Sequence, residues 1–160
     1  MTGSPFDTAR FRQVLGHFPT GVVIAATMHE GRPAGLAIGS FFSISLDPPL
    51  VGFCADHRSS TWPKIREAGR FCASVLAGDQ EEVSRTFASS VDDKFAGLGW
   101  AHSPLGSPRI KDALAWIDCS VEAVHPAGDH DLVVGRVHDL AVEREGHPLV
   151  FFRGGYAAID

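Results

Sequence analysis

Gly35-Leu-Ala-Ile-Gly-Ser-Phe-Phe-Ser-Ile-Ser-Leu-Asp-Pro-Pro-Leu-Val-Gly-Phe-Cys54 carries the plan of the chain. Phe42, Ile44 and Leu46 fall on one face of a strand and Ser43 and Ser45 on the other, because successive strand side chains point to opposite sides. Asp47-Pro48-Pro49 then interrupts the ladder, since proline has no N–H to give a neighbouring strand. Residues 50–54 resume an apolar run of the kind a barrel interior requires. Gly35, Gly39 and Ser40 stand just ahead, where small side chains let backbone approach something flat or bulky. The stretch predicts a strand, a sharp corner, a second strand and a shallow, backbone-lined site beside them.

At 160 residues the chain has the length of one domain with a substantial core. Apolar residues at 44% and charged residues at 21% are ordinary for a globular protein. Seventeen Gly and ten Pro imply many turns and favour strands over a helical bundle. A formal charge of −5 gives no basis for nucleic acid or an anionic membrane as partner. Cys54, Cys72 and Cys119 are odd in number, far apart and without metal or redox spacing, so buried, reduced thiols are expected. Residues 1–7 are polar and lack the layout of a signal peptide. No apolar run approaches the ~20 residues that span a bilayer. A cytoplasmic location is the expectation.

Around the central stretch, short elements alternate with turns. Phe11, Val14, Leu15 and Phe18 recur at helical spacing behind Asp7 or Thr8 as N-cap, and Pro19-Thr20-Gly21 ends that helix. Residues 22–27 read as a strand and 29–33 as a hairpin turn, with Gly31 supplying the unusual backbone angle. Ser59, Ser60 and Thr61 are N-cap types ahead of a helical pattern over 65–68 that Gly69 stops. Such a start, with Arg58 nearby, also suits a phosphate, because free N–H groups and the helix dipole converge there. Spacing alone favours the cap. Residues 71–76 read as a strand and 79–89 as an amphipathic helix with Val83 and Phe87 on its apolar face. Residues 97–108 are a Gly-, Pro- and Ser-rich loop, long enough for a lid or a dimer contact. Over 115–124, Trp116, Asp118, Ser120 and Glu122 alternate with Ile117, Cys119, Val121 and Ala123, which predicts a strand with one wet face. Residues 125–130 are its turn and 131–142 the return strand, where Gly135 marks a bulge or a tight backbone approach. Residues 148–152 are the last apolar strand.

Several chemistries lack their residues. The eight histidines are scattered, His125 and His130 are separated by Pro126 and Gly128, and no cysteine lies at ligand spacing, so no metal site is predicted. There is no Gly-x-Ser-x-Gly elbow, and Cys54 and Cys72 sit in apolar runs that make inert thiols. No Gly-x-Gly-x-x-Gly follows a strand, so a Rossmann mode of nucleotide binding is unsupported.

The segment Ser40-Phe-Phe-Ser-Ile-Ser-Leu-Asp-Pro-Pro-Leu50 closely resembles the SF-S-S-DPPL segment of the flavin reductase-like family, small reductases that serve two-component flavin monooxygenases. Phe18-Pro19-Thr20-Gly21-Val22-Val23 resembles the family's opening. Gln80 with Phe87-Ala88, and Asp93-Lys94-Phe95, resemble its Q…FA and DKF patterns. Gly128-Asp129-His130, Gly135-Arg136-Val137 and Arg153-Gly154-Gly155-Tyr156 resemble its GDH turn, GxV strand and closing G-Y. These matches extend over about residues 10–156, in family order.

The resemblance implies one domain over residues 1–160, mainly β (α+β): a split β-barrel of the FMN-binding flavin reductase-like type, with a few short helices, forming a homodimer. It implies an enzyme reducing FMN or FAD with NADH or NADPH and supplying reduced flavin to a separate monooxygenase component. In such an enzyme hydride passes from nicotinamide C4 to flavin N5, and the protein sets stacking and distance. That accounts for a site rich in Ser, Gly and backbone. The resemblance places Ala37, Ile38, Gly39 and Ser40, with Cys54, Ala55 and Asp56, along the isoalloxazine edge. It gives the phosphate to Ser59, Ser60 and Thr61. Lys94 would lie near the phosphate or ribityl chain, where the plainer reading is a solvated loop lysine. His130 is the catalytic candidate, seating the nicotinamide or shielding the transfer, where the plainer reading is a turn histidine bonded to Asp129 or backbone. Many relatives carry Thr-Ala-Asn-Ser or Thr-Ala-Ser-Ser where this chain has Ala37-Ile38-Gly39-Ser40, so two hydrogen-bonding side chains are missing beside the expected ring. A non-catalytic flavin-binding or electron-transfer protein of the same fold is the rival. A pyridoxine-phosphate oxidase-like enzyme is a third reading, opposed by Gly128-Asp129-His130 and the Asp47-Pro48-Pro49 corner.

Overall fold

Strands dominate the computed structural model, which describes residues 5–159. Helix α1 (Thr8–Leu15) leads to β1 (Thr20–Gly21), β2 (Val23–His29) and β3 (Arg32–Ile38). Next come β4 (Phe42–Leu46), β5 (Pro49–Asp56), α2 (Trp62–Ala68), β6 (Arg70–Val75) and α3 (Glu81–Ala88). A small hairpin, β7 (Trp100–His102) and β8 (Pro108–Ile110), precedes a long one, β9 (Ala115–Ala127) and β10 (His130–Val142). β11 (Leu149–Phe152) and β12 (Gly155–Ala158) close the described chain. Seven strands form an antiparallel sheet in the order β3-β2-β6-β9-β10-β5-β4, and β1, β11 and β12 form a second sheet. The protein is thus mainly β with a few short helices.

Local chemistry explains the boundaries. The Asp7 carboxylate accepts the Arg10 N–H at 2.7 Å and caps α1. Glu30 and Gly31, with φ of 51° and 76°, make the β2–β3 turn, a left-handed pair that suits the twist of a hairpin. Gly69, at φ 73°, ends α2 as expected.

Two apolar clusters share β2. Val23 and Ala25 face the first, with Phe53, Trp62, Ile65, Phe71, Cys119 and Val133, while Ile24 and Ala26 face the second, with Leu76, Phe87, Phe95 and Leu149. Burial on both faces is why residues 22–26 read as an unbroken apolar run. Phe53 lies edge-on to Phe71, with ring centroids 5.1 Å apart, and edge-on to Trp62 at 6.2 Å.

The expected wet face of β9 is overturned at Asp118, which is fully buried. Its carboxylate accepts the Ser103 hydroxyl at 2.7 Å and the Leu105 N–H at 2.8 Å. Segment 97–108, expected as a loop, carries β7 and the start of β8 and is pinned to β9 through Asp118. The turn expected over 125–130 shrinks to Gly128-Asp129, with His125, Pro126 and Ala127 inside β9. β3 and β12 are strands that were not predicted, and the first helix stops short of Phe18. α1 buries none of its residues; Phe11, Val14 and Leu15 are exposed, and Phe18 is 74% exposed. Phe42 and Ile44 lie against Gly52, while Leu46 at the corner is 95% exposed. The polar stretch 1–7 falls partly outside the described residues.

Gly135 fulfils its expectation: the ladder to β9 shifts between Val134 and Gly135, and a Cβ there would lie 2.8 Å from the ring of buried Phe71. Gly135→Ala should therefore destabilise the protein. Overpacking costs about 1–3 kcal/mol, while the stiffer unfolded chain offsets up to about 1 kcal/mol. Thermal unfolding checks this, at about 2–4 °C per kcal/mol for a chain of this length. An unchanged midpoint would show that Phe71 yields freely.

Candidate functional site

The site is built where two strand edges meet. β5 pairs with β10 from Leu50 to Asp56, which lies opposite His130, but pairs with β4 only as far as Gly52 opposite Phe42. From Phe53 onward its second edge has no ladder partner among the described residues. Ser40 stands in at one position: its Oγ accepts the Cys54 N–H at 2.9 Å and donates to the Cys54 carbonyl at 3.3 Å. One side chain thus makes the pair of bonds that a strand residue would make. It holds the end of β3, itself an edge strand, against the end of β5. Ala37, Ile38, Gly39 and Ser40 are in this way brought to Cys54, Ala55 and Asp56. The Ile38 and Ala55 side chains are buried in the core, so these residues offer backbone to the seam.

Residues 57–61 connect β5 to α2. The His57 N–H donates to the Asp129 carbonyl at 3.0 Å, and the Ser59 N–H donates to the Asp56 carbonyl at 3.0 Å. The Ser59 hydroxyl accepts the N–H groups of Thr61 at 3.2 Å and Trp62 at 3.1 Å. Ser59 therefore does the capping; Thr61 makes no side-chain cap bond and is buried, and Ser60 is exposed. Arg58 binds Asp56 through Nε at 3.3 Å and Nη2 at 3.0 Å, and its backbone N–H reaches Asp56 Oδ1 at 2.8 Å. The Arg58 side chain and backbone hold the Asp56 carboxyl well below the usual carboxylate range, and Asp56 raises Arg58 in turn.

His130 begins β10 beside this turn, its side chain 39% exposed. Its Nδ1 bonds the Asp129 carboxylate at 2.7 Å, the contact of the plainer reading. That bond lowers the Asp129 carboxyl. Lys94 is not a solvated loop lysine: its ammonium donates to the Phe87 carbonyl at 2.9 Å, and burial, then Lys64, lowers its pKa.

Sequence reasoning missed Asp131, next to His130. Its carboxylate accepts the Trp62 indole N–H at 2.9 Å and bonds the His57 ring at 3.0 Å. The available signal was one acid heading an apolar run, Leu132-Val-Val-Gly135. A cavity of about 990 Å³ opens elsewhere, between the β2–β3 turn, Lys64 and the Asp92–Asp93 segment, and no predicted site residue lines it. Among the described residues, no three His, Cys, Asp or Glu side chains gather as a metal site, and no helix is long and apolar enough to cross a membrane.

The fold defines a mainly antiparallel β domain with a backbone-lined seam between the ends of β3 and β5. Comparison with known proteins makes this specific. The family model described as flavin reductase like domain matches residues 15–160, and the chain belongs to that family. The reductase subunit of a flavin-dependent monooxygenase from Rhodococcus jostii is 49% identical over 96% of this chain and 79% of its own. The crystal structure of a nitrilotriacetate monooxygenase component B homologue from Mycobacterium thermoresistibile is 51% identical, with a TM-score of 0.94 over 96% of this chain and 87% of that one. An NADH:FAD oxidoreductase of Streptomyces globisporus, in complex with NAD and FAD fragments, is 29% identical, with a TM-score of 0.92 over 100% of this chain and 97% of that one.

The electrostatics can be checked at the thiols and at the acids. Burial pushes the Cys119 thiol up to about 12 and Cys72 higher still, while Cys54 is only half-buried. A thiol reagent at pH 8 should label no more than one cysteine in the native protein and all three in denaturant. Hydrogen bonds from Arg58, His130 and Trp62 hold the Asp56, Asp129 and Asp131 carboxyls, respectively, below the usual carboxylate range, so the native state holds these protons less tightly than the unfolded one. Their stabilisation is complete above the unfolded value and is lost as pH falls through the folded ones. Denaturant midpoints should be higher at pH 7 than at pH 3; equal midpoints would contradict the bonding described.

Proposed function

We propose that this protein is an NAD(P)H:flavin oxidoreductase that binds FMN or FAD at the β3–β5 seam and supplies reduced flavin to a separate monooxygenase component. The observation that carries the reading is the seam itself, where Ser40 bonds Cys54 and holds two strand ends together. An isoalloxazine edge carries donors and acceptors along a line, and the backbone N–H and C=O groups of Ala37–Ser40 and Cys54–Asp56 are matching chemistry. When bound, flavin supplies the hydride-accepting N5, and the nicotinamide supplies the hydride.

The chain's own part is positioning. Ser60 and Thr61, whose hydroxyls are not spent on the cap, are the groups for the phosphate, with Ser59 shaping the turn around them. Lys94 adds a cation from the segment after α3. His130 stands at the β9–β10 turn opposite Asp56; with Nδ1 held by Asp129, its Nε2 is left to meet the nicotinamide. No acid–base pair is required, which agrees with a seam of Ser, Gly and backbone.

Further parts of this reading concern architecture. The seven-stranded sheet, with the end of its edge strand β3 drawn to the unladdered end of β5 at Ser40 and Cys54, is a split β-barrel in one domain. The exposed apolar residues of α1 and of the Phe42–Leu46 strand supply what a homodimer interface would cover. The Rhodococcus relative is a reductase subunit of a flavin-dependent monooxygenase, which supports an oxygenase partner here. A cytoplasmic location accords with reduced thiols and an NAD(P)H donor.

Consumption of NADH or NADPH, followed by absorbance with FMN, FAD or no flavin added, tests the reading. Turnover that depends on added flavin is expected; bound flavin without turnover would favour an electron-transfer role instead. His130→Ala should lower kcat/KM for the nicotinamide nucleotide roughly tenfold or more through lost positioning, with flavin affinity retained. Unchanged turnover would remove His130 from the mechanism.

A further inference from the structure

Asp131 is the acid beside the catalytic candidate, and its bonds reach away from it. The side chain is 11% exposed on β10. One oxygen lies 3.0 Å from His57 Nε2; the other accepts the Trp62 indole N–H at 2.9 Å, with Arg66 Nη1 3.6 Å away. Trp62 is the first residue of α2, is buried, and lies edge-on to Phe53. The neighbouring Asp129 carbonyl accepts the His57 backbone N–H. The run Asp129-His130-Asp131 therefore grips the 57–61 turn at both ends: His57 through backbone and ring, and Trp62 through its indole.

We infer that Asp131 is a positioning residue that locks the flavin-phosphate turn to the strand bearing His130, so that the two halves of the site keep one spacing. This rests on the flavin reductase reading. A buried carboxylate accepting two N–H groups is a stiff joint, because losing either partner leaves polar atoms unpaired. The Trp62 ring sits against Phe53, so the joint also ties the turn to the core. The backbone bond from His57 to Asp129 holds the start of the turn, and Asp131 adds the side-chain bonds that tie His57 and Trp62 to β10.

The test uses Asp131→Asn, Trp62→Phe and the double variant, each checked for folding by its thermal midpoint. Flavin affinity is read by quenching of flavin fluorescence on binding, and kcat by NADH turnover at saturating flavin. Each single change should raise the flavin Kd roughly tenfold, the scale of one lost charge-assisted bond, with kcat falling by a smaller factor. The double variant should fall well short of the product of the singles, because both changes act on the same joint. Singles that fold with an unchanged Kd, whatever their midpoint, would overturn the inference, as would effects that multiply in the double. If Asp131→Asn does not fold, the Kd of Trp62→Phe alone decides the matter in the same way. A wild type that binds flavin but does not turn over would sink the reductase reading, while the Kd series would still decide on Asp131.

Discussion

The register between β5 and β10 is the constraint on which the rest of the molecule depends. Phe53 pairs with Val133, and both are fully buried between Phe71, Trp62 and Ile65. A slip of one residue would turn both side chains to the opposite face. Losing a buried Phe costs about 3–5 kcal/mol, whereas the Ser40 bonds to Cys54 contribute about 0.5–1.5 kcal/mol each. Packing therefore sets the register, and the polar contacts follow from it. With Phe53 opposite Val133, Asp56 falls opposite His130 and Asp131 falls within reach of Trp62 and His57. The site's spacing is inherited from the core.

Parts of this were legible in the sequence because their cause is local. Proline punctuation marks the β4–β5 corner, Gly69 marks the end of α2, and Gly135 is required because Phe71 fills the space of a Cβ. Other features have distant causes. Asp118 lies on an alternation that reads as wet; it is buried because Ser103 and Leu105, from a segment with no local pattern, supply its hydrogen bonds. β3 contains Pro33 and Gly35, poor strand formers, and becomes a strand through pairing with β2. The apolar spacing of α1 gave the helix correctly but not the burial, since none of its residues is buried against the rest of the described chain.

The candidate site shows the same division. The residues of the seam were named from the family's motifs, not from periodicity, and the fold does bring the 37–40 and 54–56 segments together. Which hydroxyl caps α2 could not be read from three successive Ser and Thr residues, since all are good cap types; the turn geometry selects Ser59. Arg58, a candidate phosphate cation by proximity, is engaged by the carboxylate two residues earlier. Asp131 gave no motif at all, because its partners lie 69 and 74 residues away.

An open strand edge is normally a hazard, and proteins blunt it with proline, short strands or charge. β3 carries Pro33, which lacks the N–H a new strand would need, and its far end is tied down by Ser40 rather than by another strand. That substitution matters physically. A full strand at this position would satisfy the backbone of β5 past Phe53 and leave nothing for a ligand; no contact there at all would let the two edges drift. One serine, bonded to one residue, fixes the spacing while leaving Ala55 and Asp56 without a ladder neighbour on that side. With two side chains missing relative to Thr-Ala-Asn-Ser sequences, the proposed flavin site is left with backbone as its recognition surface. Its geometry is set by the register of β5 and β10 together with the Ser40 bonds to Cys54.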